Sequence, residues 1–441
     1  MTLCLRASAT IALGLLAAIT ATHANADEHN RNWDGFDWHQ DNNIQVGPRP
    51  FYLIEGMDEG PLKKKLESCK DEPVRRTNWS IAHRGAPLQF PEHTKEAYEA
   101  GARMGAGIVE CDVTFTSDGA LVCRHAQNDL HTTTNILTSQ YADRCVKPFV
   151  PATLDANGAV TKAATAECRT SELSLDEFKS LRGKMDAFNP AATTPQQYQT
   201  GTPAWRTDLY TGRGMLMTFA ESIALNKKLG VKHTPELKAG DAASIAAVFG
   251  SQERYAQALI NELQANGVRP RDAYPQSFNP NDVLYWVRNT AYGDQAVFLV
   301  DYNTTTDNIV LFDTTGKQLL TRDEQNAFFK SLRRAGVKIV APSFNALLAV
   351  QGSRIVPSVV AKDLKAMGFD LISWSFERVD LRKGAAGVGS YYDFDPTGAA
   401  IKKDSDMYKA LDVLAKDVKL IGMFSDWPGT VSYYASCMGL K

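Results

Sequence analysis

Eight short β-rich apolar runs, each separated from the next by a longer helix-like stretch, most restrict what this chain can fold into. They are Ser80–His83, Ile108–Thr114, Val231–Leu237, Asp272–Ser277, Ala296–Asp301, Lys338–Pro342, Asp370–Ser375 and Leu420–Ser425. Strands joined through helices run parallel, because a crossover must return the chain to the same edge. Eight such units predict an α/β fold, a closed (β/α)8 barrel. A doubly wound open sheet is the structural alternative, but no dinucleotide-type glycine motif accompanies the runs. The connecting helices carry readable ends. Thr94 caps Lys95 to Met104 with Gly105 as the stop, Asp241 to Asn266 reads as one long helix ended by Gly267, and Asn279-Pro280-Asn281 opens another.

One interval breaks the repeat. From Ala126 to Arg213 the chain is rich in Thr, Ala, Gln, Pro and Asn and poor in periodic apolar residues. A segment this long inside a compact domain is a functional loop or a small subdomain. Its place after the second strand puts insertion 126–213 over the end of the barrel where active sites are built, shaping or covering the substrate site.

At the start, Arg6 precedes the apolar run Ile11–Ile19, which is followed by Ala24-Asn25-Ala26. That order predicts a signal peptide over residues 1–26, cleaved near Ala26 and too short to span a bilayer. An N-terminal extension over 27–79, with a helix or lid between Phe51 and Cys69, would then precede a barrel domain over 80–441. The expectation is an exported protein, periplasmic or secreted, with no stable membrane anchor. Cys69, Cys111, Cys123, Cys145, Cys168 and Cys437 follow the leader, an even number suited to disulfides in an oxidising compartment. Position favours Cys69–Cys437, Cys111–Cys123 and Cys145–Cys168; buried free thiols are the alternative. A net charge of −2 and the lack of a basic stripe argue against a nucleic-acid partner. Oligomeric state leaves no mark in the sequence.

The chemistry gathers at Ile81-Ala82-His83-Arg84-Gly85 and Val109-Glu110-Cys111-Asp112-Val113. Side chains two apart on a strand share a face, so Glu110 and Asp112 point together while Cys111 and Val113 point away. A hard divalent cation suits that carboxylate pair, and a phosphate bound to it suits a nearby arginine and a proton-carrying histidine. Alone, such a pair is commonly a solvated strand face; between Ile108, Val109 and Val113 it sits in a core-type strand.

The ordered set His83-Arg84-Gly85, Pro91-Glu92-His93-Thr94, Glu110-Cys111-Asp112-Val113, Thr116-Ser117-Asp118-Gly119, Leu121-Val122-Cys123-Arg124-His125, Pro235-Glu236-Leu237-Lys238 and Ser425-Asp426-Trp427-Pro428 resembles the glycerophosphodiester phosphodiesterase family. The resemblance implies a TIM barrel and a small glycerophosphodiester substrate. It further implies Glu110, Asp112 and Glu236 as ligands of a divalent cation, Ca2+ or Mg2+, and His83 and His125 as general acid and base. Arg84 and Lys238 would grip the phosphate, with Phe278 and Trp374 lining the pocket. Ala126 stands where the family usually has an aspartate after the histidine, which leaves the support of His125 open and makes His131 its understudy. His93 reads as a helix-entry residue, and His233 as pointing away from the site by strand parity. Trp427 either closes the pocket or seals the last turn. Two other readings share this fold: a phospholipase D-like enzyme acting on intact lipids, and a non-catalytic exported binding protein. The Pro-Glu-Leu-Lys setting and the lack of an apolar interfacial helix in the insertion favour the small diester over a lipid surface.

Overall fold

The computed structural model describes residues 43–303, 305–306 and 308–441, so the expected signal peptide and residues 27–42 lie outside the described residues. Eight strands build the barrel: β1 (Thr77–Ala82), β2 (Ala106–Phe115), β3 (Lys232–Leu237), β4 (Gln276–Ser277), β5 (Val297–Asn303), β6 (Ile339–Pro342), β7 (Asp370–Phe376) and β8 (Gly422–Ser425). Each pairs in parallel with the next, and β1 pairs with both β2 and β8, which closes the sheet. The expected runs all become strands, but β4 is far shorter than Asp272–Ser277. Pro270 opens a 3-10 turn there, and Pro275 has no N–H to give to a ladder.

Around the barrel lie α1 (Arg49–Glu55), α2 (Pro61–Glu67), α3 (Lys95–Arg103), α4 (Phe219–Leu229), α5 (Ala242–Phe249), α6 (Gln252–Ala265), α7 (Pro280–Asn289), α8 (Arg322–Arg334), α9 (Val359–Ala366), α10 (Met407–Val413) and α11 (Pro428–Met438). Thr94 caps α3 by accepting the Ala97 N–H, as its sequence suggests. The single long helix expected over 241–266 is instead two. Gly250 takes a left-handed φ of 85° and Ser251 caps α6, so the chain turns where a helix interior would have to tolerate glycine. The segment expected as a helix or lid forms the short helices α1 and α2.

Strand parity divides the barrel lumen into two layers. Ile81, Ile108, Val297, Leu299, Ile339, Ala341, Ile372 and Phe424 form one buried apolar cluster. Two residues further along the same strands, on the same face, stand His83, Glu110, Trp374 and Asp426. The lumen is thus plugged below by aliphatic side chains and polar above, at the carboxyl ends of the strands.

All three expected disulfides form: Cys69–Cys437, Cys111–Cys123 and Cys145–Cys168. The first joins the end of the α2 region to α11. The second ties β2 to the short antiparallel strand Leu121–Cys123, where Val113 pairs with Cys123. The third lies in segment 126–213, which carries its own apolar cluster including Leu130, Ile136, Leu173, Phe178 and Tyr198. Arg49 of α1 makes a forked pair with the buried carboxylate of Glu377, just past β7, which Thr430 of α11 also meets.

Asp282, in the first turn of α7, accepts from Ser277 Oγ and Gln252 Nε2, yet burial pushes its carboxyl from 3.8 up to about 6. A folded-state pKa above the unfolded one gives stability that is present below about pH 4 and lost as pH rises through about 6. Asp282→Asn should therefore gain on the parent by about 3 kcal/mol between about pH 4 and pH 7, the free-energy equivalent of moving the carboxyl from 3.8 to about 6. Denaturant melts of both proteins at the two pH values test this; curves that move in parallel would refute it.

Candidate active site

The turn after β1 sets the first residues. The His83 N–H donates to the Ser425 carbonyl at 3.1 Å, which holds the end of β1 to β8. Arg84 adopts a positive φ of 54°, and this aims its own N–H at Glu110 Oε2, 2.9 Å away. Gly85 follows with φ of 96°, and a Cβ there would stand 2.6 Å from the Ala97 backbone. Only glycine lets this turn lie so close to α3.

Three buried carboxylates meet beside that turn. Register places Glu236 of β3 against Asp112 of β2, with Thr234 opposite Glu110. One oxygen from each of Glu110, Asp112 and Glu236 lies within 4.8 Å of the others. Gln276 of β4 donates to Glu110 Oε1 at 2.8 Å, and Lys238 pairs with Glu236 at 2.6 Å. Asp112 Oδ2 has His93 Nε2 at 2.9 Å and Arg84 Nε at 3.4 Å, whereas Asp112 Oδ1 is buried with no hydrogen-bond partner among the described residues. Burial, reinforced by Asp112 and Glu236, pushes the Glu110 carboxyl well above its ordinary range. Burial also raises Glu236, against the pull of Lys238, to about 7. At Asp112 burial acts in the same direction but loses to Lys238, His93 and Arg84, which hold it well below. The cluster is short of positive charge and keeps one oxygen aimed at nothing. An all-oxygen set with an orphaned carboxylate oxygen fits a hard divalent cation.

His83 is the most fully supported histidine of the site. Its Nδ1 lies 2.5 Å from Asp426 Oδ1 and 2.9 Å from Ser375 Oγ, which leaves Nε2 facing Glu110 Oε2 at 3.8 Å. Asp426 is held in turn by Arg378 at 2.7 Å. Burial and then Arg84 lower the His83 pKa, against the pull of Asp426, so the neutral ring is favoured.

His125 arrives by a different route. Strand Leu121–Cys123 runs beside β2, and the Arg124 N–H donates to the Asp112 carbonyl at 2.8 Å. Arg124 is fully buried and donates to the carbonyls of Glu92 and Cys123, so it anchors the segment while His125 projects beyond it. A ring nitrogen of His125 and one oxygen each of Glu92 and Asp129 lie within 4.8 Å of one another. Glu92 also pairs with Arg84 at 2.9 Å. The carboxylate that Ala126 cannot supply is thus brought near by Asp129, whose Oδ2 accepts the Ala126 N–H. Burial pushes Asp129 up to about 6 and His125 well below its ordinary value.

The structure brings His83, Arg84, Glu110, Asp112, His125, Glu236 and Lys238 together at one end of the barrel. Phe278 and Trp374 meet edge to face at 5.8 Å, and Lys238 Nζ lies 5.9 Å from the Phe278 ring. His131 packs instead against Tyr198 in segment 126–213, and His233 faces Asn226 of α4. Trp427 belongs to a small cluster with Ala86, Leu88 and Met104. His93 is the main addition to its expected role. It does precede the cap of α3, but it is also buried between Tyr98 and Asp112. Glu92, Ser375, Arg378 and Asp129 were not singled out from sequence. Glu92 stood inside a motif, whereas Arg378 carried no local signal at all.

A family model described as the glycerophosphoryl diester phosphodiesterase family matches residues 83–380. An extracellular protein of Arthroderma benhamiae is 39% identical over 259 residues, 58% of this chain and 100% of that protein. A glycerophosphodiester phosphodiesterase of Arabidopsis thaliana is 24% identical over 67% of this chain and 69% of its own length. Among solved structures, a phosphodiesterase of Oleispira antarctica in complex with the product sn-glycerol-3-phosphate has a TM-score of 0.45 at 17% identity, covering 80% of this chain and 95% of that one.

Glu110→Gln should melt somewhat lower than the parent in excess chelator, because its amide nitrogen cannot accept the hydrogen bond that one Glu110 oxygen takes from the Arg84 N–H or from Gln276 Nε2. It should lose the gain that a divalent cation gives the parent, about 2.7 kcal/mol at a hundredfold excess over Kd. Thermal melts with chelator and with Ca2+ or Mg2+ read both effects; a retained gain would remove Glu110 from the ligand set.

Proposed function

The chain belongs to the glycerophosphoryl diester phosphodiesterase family and is a phosphoric diester hydrolase, and we propose that it splits glycerophosphodiesters into sn-glycerol 3-phosphate and an alcohol with His83 and His125 as its proton-transfer pair. The observation that carries this reading is the Asp426–His83 pair, whose free Nε2 faces the carboxylate cluster. The complex of the Oleispira antarctica phosphodiesterase with sn-glycerol-3-phosphate names the same product.

Glu110, Asp112 and Glu236 would hold the cation, Ca2+ or Mg2+, which when bound supplies positive charge to a non-bridging phosphate oxygen. Arg84 and Lys238 add fixed positive charge beside it, and the Arg84 Nε has no hydrogen-bond partner among the described residues. With Asp426 accepting the Nδ1–H, neutral His83 presents a lone pair at Nε2. It takes the proton from the attacking oxygen, either the glycerol 2-hydroxyl or water, and Asp426 stabilises the imidazolium that forms. A P–O bond forms to that oxygen as the P–O bond to the alcohol breaks; where the 2-hydroxyl attacks, one water then opens the cyclic phosphate, its OH going to phosphorus and its H to the 2-oxygen, to give sn-glycerol 3-phosphate. His125 would act as the acid toward the departing alkoxide, the Glu92 and Asp112 carboxylates favouring its protonated form against the burial that opposes it. Phe278 and Trp374 line the approach.

The leader sequence and the three disulfides support export, since such bonds persist in oxidising compartments. Among the described residues no helix is long and apolar enough to cross a membrane.

Glycerol 3-phosphate release from glycerophosphocholine, with Ca2+ or Mg2+ and with excess chelator, tests the reading. Chelator should abolish release and one cation restore it, and His83→Ala should lower kcat by roughly 10²–10⁴-fold. A folded protein that releases nothing with either cation would overturn the proposal.

A further inference from the structure

Segment 126–213 reaches His83 through a chain of alternating charges. Arg206 Nη2 donates to Asp186 Oδ1 at 2.6 Å, and both residues belong to that segment. Arg378 Nη2 donates to Asp186 Oδ2 at 3.1 Å, and Arg378 Nη1 to Asp426 Oδ2 at 2.7 Å. Asp426 Oδ1 then meets His83 Nδ1 and Ser375 Oγ. Both oxygens of both aspartates are in use, and two arginines offset two carboxylates. Arg206 also donates to the Pro87 carbonyl, in the turn that follows His83 and Arg84.

Arg378 sits where it does because of the turn after β7. Glu377 takes a positive φ of 66° and is pinned by Arg49 and Thr430, which sends the next side chain across the mouth of the barrel. Two anchors therefore fix its guanidinium, one in the barrel wall and one in segment 126–213.

We propose that Arg378 and Asp186 are positioning residues through which segment 126–213 sets the Asp426 carboxylate and so the His83 ring. Docking of that segment and alignment of the proton acceptor are then one structural event, and the segment is part of the machinery instead of a cover over it. Asp426 with one oxygen unpaired can rotate, and the imidazole it holds rotates with it. The proposal rests on His83 being the residue that takes the proton.

The test is steady-state hydrolysis of glycerophosphocholine by the full chain, with Asp186→Asn, Arg378→Gln, Arg378→Lys, the Asp186→Asn/Arg378→Gln double variant and His83→Ala side by side. Asp186→Asn keeps shape and removes charge, and should lower kcat on the order of tenfold with KM little changed. Arg378→Gln should cost at least as much, and Arg378→Lys should restore part of it. Because Asp186 acts through Arg378, the double variant should be no slower than Arg378→Gln alone. Effects that multiply in the double variant, or a fall in melting temperature with kcat unchanged, would overturn the proposal. Should His83→Ala retain full activity, the acid–base reading itself fails. Should His83→Ala be inactive while Asp186→Asn is fully active, only the coupling fails.

Discussion

Mutual repulsion among Glu110, Asp112 and Glu236 is the constraint around which the top of this barrel is arranged. Three carboxylates with oxygens within 4.8 Å, all out of water, would not hold together without nearby positive charge. Lys238 faces Glu236, His93 and Arg84 face Asp112, and the Arg84 and Gln276 donors face Glu110. Each donor needs its own placement, and much of the local geometry follows. The left-handed turn at Arg84 serves Glu110, the glycine after it allows the turn, and the His93 ring reaches Asp112 from the entrance to α3.

Below that layer the barrel is ordinary, and its ordinariness is useful. The apolar cluster of Ile81, Ile108, Val297, Leu299, Ile339, Ala341, Ile372 and Phe424 fills the lumen and excludes water from beneath the charges. Low polarisability on that side raises the strength of every electrostatic interaction above it. The same strands thus carry the insulation and the charged groups, separated by a single two-residue step.

Much of this was legible because it is local. Two-residue spacing put Glu110 with Asp112 and Glu236 with Lys238, and sent His233 outward; the half-cystines of the β2 hairpin were twelve residues apart across a Ser-Asp-Gly turn. What sequence did not reveal depends on distant segments meeting. Arg378 approaches Asp426 and Asp186 across 48 and 192 residues, and nothing near it in the chain marks it as different from any surface arginine. Asp129 came to lie near His125 because the following turn folds back, which spacing alone does not fix. The break at Gly250 and the shortness of β4 were missed for another reason. Apolar content suggested longer elements, while a glycine and two prolines acted on the backbone itself.

The disulfides close loops of very different size: Cys111 and Cys123 are 12 residues apart, Cys69 and Cys437 are 368 apart. Bringing the distant pair together from a random chain costs about 3 kcal/mol more in entropy than the near pair, by the logarithmic dependence on loop length. The near pair can meet as soon as one hairpin forms. The distant pair meets efficiently only once β1 has found β8 and the ring of strands is shut. The Cys69–Cys437 bond therefore acts as a latch that engages after assembly, and its presence in a molecule certifies that the segments flanking β1 and β8 have reached each other.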